Sequence, residues 1–64
     1  MLNVKIGDQD QDGFVSVIVS EGSEDGREIA AWGVSGSKAY ESIMKHGYDV
    51  IEYAGNGNYT AKRS

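Results

Sequence analysis

The seven residues Phe14 to Ser20, FVSVIVS, put Val15, Val17 and Val19 on one side of an extended chain. Phe14, Ser16, Ile18 and Ser20 fall on the other side. A period of two is the repeat of a strand. The polar, glycine-bounded segments GDQDQDG (Gly7–Gly13) and EGSEDG (Glu21–Gly26) bracket it and read as turns. The same period appears in Leu2, Val4 and Ile6, so residues 2–6 are expected to form a strand before it. Arg27 to Ser35 reads as a third strand, with Ile29 and Ala31 on one face and Trp32 and Val34 on the other. Tyr48 to Ala54, YDVIEYA, is a fourth. Gly55-Asn56-Gly57 follows, and Asn-Gly is a strong hairpin signal, so Asn58 to Lys62 is the return strand.

One segment breaks this pattern. Gly36-Ser37 ends the third strand, and Ser37 is a suitable helix N-cap. From Lys38 to His46 the apolar residues Ala39, Tyr40, Ile43 and Met44 recur at helical spacing. Gly47 stands where a left-handed residue closes a helix, and Lys45 and His46 suit the negative end of its dipole. So short a helix depends on packing rather than on propensity. The turns are too short for anything but antiparallel neighbours. The expected fold is therefore one α+β domain over residues 1–64. It is a small antiparallel sheet of about five strands with one short helix on one face, in the order β-β-β-α-β-β. Ala39, Tyr40, Ile43 and Met44 are expected to pack on Val15, Val17 and Val19. One helix cannot cover five strands, which leaves the face with Phe14 and Ile18 as a candidate dimer or partner surface.

Composition sharpens the problem. With 64 residues and no Cys, the chain has neither a disulfide nor a Cys-based metal staple. It must bury its apolar residues efficiently, dimerise, or gain stability from a partner. No apolar run approaches the ~20 residues that span a bilayer. The opening MLNVKI lacks the basic start and apolar stretch of a signal peptide. A cytoplasmic protein without membrane contact is expected.

The net charge of −4 is unevenly spread. Residues 7–28 carry Asp8, Asp10, Asp12, Glu21, Glu24, Asp25 and Glu28 against Arg27 alone, a net −6. The remaining residues are slightly basic. Such a field repels nucleic acid and anionic membranes and attracts cationic surfaces. Two groups of three carboxylates, with Glu28 as a seventh charge, flank the strand Phe14–Ser20, whose length places them about 20 Å apart.

Asp8-Gln9-Asp10-Gln11-Asp12-Gly13 matches the first half of an EF-hand loop, where alternating carboxylates converge on calcium. Val15 fits the apolar position of that loop, but Val19 stands where the bidentate Glu belongs. A calcium site on Asp8, Asp10 and Asp12 would therefore need a further ligand such as Glu21 or Glu24. His46 is the only histidine, and no nucleophile elbow or zinc ligand set accompanies it. Gly33-Val34-Ser35-Gly36-Ser37 lacks the lysine of a phosphate-binding loop. The aromatic residues lack the basic track of a nucleic-acid binder, so direct nucleic-acid binding is not expected. Apart from that calcium alternative, nothing in the chain points to an enzyme, a catalytic residue or a cofactor.

In length, absence of Cys and the acidic turns GDQDQDG and EGSEDG, the chain resembles small phage-encoded inhibitors, anti-CRISPR proteins in particular. The resemblance is one of profile over the whole chain. It implies a non-enzymatic inhibitor in the host cytosol, some members of the group acting as DNA mimics on the DNA-reading surface of a CRISPR effector complex. Asp8, Asp10, Asp12, Glu21, Glu24, Asp25 and Glu28 would then be the partner-binding residues, facing a basic protein surface such as an effector subunit. Lys5, Lys62 and Arg63 confine the mimetic face to the first half. The alternatives are a calcium-binding module on Asp8–Gly13 and a structural or oligomerisation module, monomeric or homodimeric, using the open sheet face or an edge strand.

Overall fold

A computed structural model describes all of residues 1–64. The strands are β1 (Leu2–Ile6), β2 (Phe14–Glu21), β3 (Glu28–Ser35), β4 (Tyr48–Gly55) and β5 (Asn58–Arg63). A 3₁₀ turn over Gly36–Lys38 and the helix α1 (Ala39–Lys45) join β3 to β4. The five strands form one sheet in the order β3-β2-β1-β5-β4, antiparallel at every seam. This is the α+β domain that the periodicities predict. β1 lies at the centre, and the helical connection runs from one edge strand to the other.

The register explains which side chains meet. Val4 lies opposite both Val19 and Tyr59, Leu2 opposite Ala61, and Val15 and Val17 opposite Val34 and Trp32. Cross-strand partners share a face, so these residues form the floor under the helix. The core is Val4, Val15, Val17, Val19, Ala39, Ile43, Tyr48 and Ala61, with Leu2, Ile6, Trp32, Val34, Val50 and Tyr59 packed around it. Ile43 is fully buried and is the main anchor of the helix.

Three local expectations are corrected. Tyr40 and Met44 stay more than half exposed, and only Ala39 and Ile43 of the helix enter the core. Seven α-helical residues make two turns, enough to drive one narrow edge into the sheet. Ser37 is not the N-cap. The 3₁₀ turn precedes α1, the cap position is Lys38, and the Ser37 hydroxyl meets that of Ser35 at 3.2 Å. In β3, an irregular register between Val19 and Ser20 inserts Ile29 beside Ala30. Ile29 is thereby packed on the core together with Trp32 and Val34, while Ala31 remains on the other face.

Two terminators match their sequence signals. Gly47 has φ +91° just beyond α1 and its N–H donates to the Met44 carbonyl at 3.0 Å. Asn56 and Gly57 both have positive φ, the geometry of a two-residue hairpin turn between Gly55 and Asn58.

Candidate functional site

The β1–β2 turn is built around Asp10. Its carboxylate accepts the backbone N–H groups of Asp12 and Phe14, both at 2.9 Å. Its own N–H donates to the Phe14 carbonyl at 2.8 Å. The turn is fastened to the rest of the protein through Gly13, whose carbonyl accepts the Gly36 N–H at 2.8 Å and the Gln9 side-chain amide at 3.1 Å. Asp8, Asp10 and Asp12 are exposed and none has a cationic partner. The convergence expected of a calcium loop is not formed, since no three His, Asp or Glu side chains gather where they could hold a metal ion. Asp10 is turned onto its own loop, as in an Asx turn, rather than toward its neighbours.

The β2–β3 turn takes a different course from a simple loop at the strand end. It is closed by Glu21 N–H to the Arg27 carbonyl at 2.9 Å and by Gly26 N–H to the Ser23 carbonyl at 2.9 Å. Only glycine fits at position 26, because a Cβ there would lie 1.7 Å from the Glu21 carbonyl oxygen. This tight closure carries Glu24 back over the sheet face away from the helix. The Glu24 carboxylate accepts from Lys5 Nζ at 2.7 Å and from Asn58 Nδ2 at 3.2 Å. The Asn58 side-chain oxygen in turn accepts the Asn3 amide at 3.0 Å. Asn3 and Asn58 are buried polar residues, and no buried side-chain polar atom in the protein lacks a partner. The hydrogen bond from Lys5, then that from Asn58, then the lysine charge hold the Glu24 carboxyl below its ordinary value. The same contact raises the Lys5 amine above its own.

Of the seven carboxylates singled out in the sequence, Glu24 is therefore neutralised within the chain. Asp8, Asp10, Asp12, Glu21, Asp25 and Glu28 remain exposed and outside any ion pair. The two turns stand at opposite ends of β2, as its length requires. The cations of the second half are partly committed: Lys38 and Lys45 flank Glu41 at 3.6 and 3.5 Å, and the Arg63 guanidinium lies over the Tyr48 ring at 5.9 Å. Asn3, Lys5 and Asn58 carry no sequence signal of this role beyond their strand positions. Only the adjacency of β1 and β5 brings them together.

His46 occupies the C-cap of α1, the ordinary role expected of it. Two further features lie on the helix side. A shallow depression of about 290 Å³ is lined by Val34, Lys38, Glu41, Ser42 and Lys45. Tyr40, Tyr53 and Tyr59 cluster at the other flank, where the hydroxyls of Tyr40 and Tyr59 meet at 2.8 Å. That hydrogen bond, followed by burial, pushes the Tyr59 phenol up to about 12. No helix is long and apolar enough to cross a membrane. No protein-family model, curated protein or solved structure matches the chain.

Proposed function

We propose that the protein is a non-enzymatic inhibitor that docks its acidic turns on a Lys/Arg-rich, nucleic-acid-binding surface of a partner protein and competes with the nucleic acid there. The observation that carries this reading is the set Asp8, Asp10, Asp12, Glu21, Asp25 and Glu28, exposed and unpaired at the two ends of one strand. Both turns are held by internal hydrogen bonds, so the backbone that carries these charges is ordered before docking and less backbone entropy is lost on binding. A cationic groove built for DNA meets one phosphate per ~1.7 Å of duplex axis, and fixed carboxylates offer it comparable partners. Glu24 belongs to the scaffold of this surface rather than to its contacts. In an anti-CRISPR-like setting the partner is a cytosolic effector complex, and the blocked step is its reading of DNA.

The salt dependence of binding tests this. Affinity for CRISPR effector complexes or other DNA-binding proteins is expected to fall steeply with added salt, in parallel with loss of DNA competition. Binding that is insensitive to salt would overturn the reading.

A further inference from the structure

The two edges of the sheet are not equivalent. β4 is a guarded edge: its register is broken between Val50 and Glu52 and again between Tyr53 and Gly55, and it carries Asp49 and Glu52. Bulges and charges are the usual protection of an edge strand against pairing. β3 has its one irregularity at the Glu28 end, and from Ala30 to Ser35 its register is regular and free of charge and proline.

The hydrogen-bond phase shows which backbone groups β3 leaves free. The Ser16 carbonyl accepts the Gly7 N–H, so Ser16 turns its backbone toward β1. Gly36 N–H donates to Gly13, so the pairs in step with it, Val15 with Val34 and Val17 with Trp32, carry the β2–β3 bonds. Ala31, Gly33 and Ser35 therefore point their N–H and C=O groups outward, and Ala31 and Gly33 are exposed.

We infer that this edge pairs with the same edge of a second copy, giving a two-fold dimer with one continuous sheet. The occupant is specified by self-complementarity. An antiparallel pairing centred on Gly33 sets Ala31 opposite Ser35 of the second copy, so every outward N–H meets a C=O of the other chain. On the helix-free face this seam carries only Ala, Gly and Ser side chains, which leave the backbones free to approach. On the helix side it sets Trp32 against Val34 of the second copy, an aromatic and β-branched pair of the sort that stabilises antiparallel seams. The acidic turns remain at the ends of the seam, where like charges face each other across it. Added salt therefore strengthens this dimer, whereas it weakens docking on a cationic partner. The inference does not rest on the proposed function.

Sedimentation across the micromolar range, with amide exchange measured on the same samples, tests it. The expected result is a monomer–dimer equilibrium that shifts toward dimer with salt. Exchange at the Ala31, Gly33 and Ser35 amides should slow as concentration rises. N-methylation of Gly33 by chemical synthesis removes one outward donor and no internal bond, and should abolish the dimer without altering the circular dichroism. Should that variant fail to fold, the amide exchange of the parent decides alone. A parent that stays monomeric, exchange at these amides independent of concentration, or a dimer that survives N-methylation would each overturn the inference.

Discussion

The imidazole of His46 lies flat on the indole of Trp32, with ring centroids 3.8 Å apart and planes 7° from parallel. Ser42 completes the contact: its hydroxyl accepts the indole N–H at 3.1 Å and its carbonyl accepts His46 Nδ1–H at 2.7 Å. The end of α1 is thus riveted to edge strand β3 by two rings and one serine. Replacing His46 by Ala should lower stability by about 1 kcal/mol, the usual worth of an aromatic pair. Trp32 emission should move to longer wavelength as the ring gains water, and His46→Phe should restore the parent spectrum. Urea unfolding followed by fluorescence reads both effects.

Ile43 and Met44 are neighbours with opposite fates, one fully buried and the other 59% exposed. Ile43→Ala is expected to cost about 2–5 kcal/mol. A domain of this size has only a few kcal/mol to lose, so the variant should be largely unfolded at room temperature. Met44→Ala should stay within about 0.5 kcal/mol of the parent. Thermal melts of the pair check the assignment of the helix face.

The Lys5–Glu24 contact has a defined pH window. Glu24 lies below its ordinary value, so its contribution is present above that value and is lost as pH falls through the lowered one. Lys5 lies above its ordinary value, so its contribution is present below that value and is lost as pH rises through the raised one. The side-chain amide resonances of Asn58 should report the loop closed between these limits and released outside them. Glu24→Gln should remove the acid transition. Global stability should scarcely follow, because both groups are exposed.

Asn58→Ala acts differently, since it leaves the buried Asn3 amide without its partner. A loss of about 1–3 kcal/mol is expected in denaturant titrations. Asn3→Ala with Asn58→Ala together should cost less than the two single changes added.

Tyr59 should ionise near 12, visible in ultraviolet absorbance titration. Its neutral form is favoured by folding, so this contribution to stability is intact below the ordinary phenol value of 10.0 and disappears as pH rises toward 12. Tyr40→Phe removes the hydroxyl at 2.8 Å and should bring the transition back toward the ordinary value.

What the sequence discloses and what it hides divide along one physical line. Period two in Leu2-Val4-Ile6 and Val15-Val17-Val19 reports which face a side chain takes, and those residues do form the floor of the core. Gly47 and Asn56-Gly57 report local backbone conformation, and both act as read. Neighbours across the sheet are another matter. Asn3 with Asn58, and Lys5 with Glu24, depend on β1 lying beside β5 and on a loop that folds back, which no local pattern encodes. The Trp32–His46 stack needs the helix to end over β3. Ile29 defies its period because a bulge moves it to the other face. The acidic surface was legible as a charge run, but the withdrawal of Glu24 from it was not.

The claim that the acidic turns occupy a cationic, nucleic-acid-binding surface is tested most directly by displacement of labelled DNA from a panel of CRISPR effector complexes. The parent is compared with one variant carrying Asp8→Asn, Asp10→Asn, Asp12→Asn, Glu21→Gln, Asp25→Asn and Glu28→Gln, its melting curve recorded alongside. Asn at position 10 keeps the oxygen that the turn requires, so the fold should persist. The account predicts displacement by the parent from at least one complex and a loss of about tenfold or more in the folded variant at low salt. A folded variant that displaces DNA as well as the parent would contradict it.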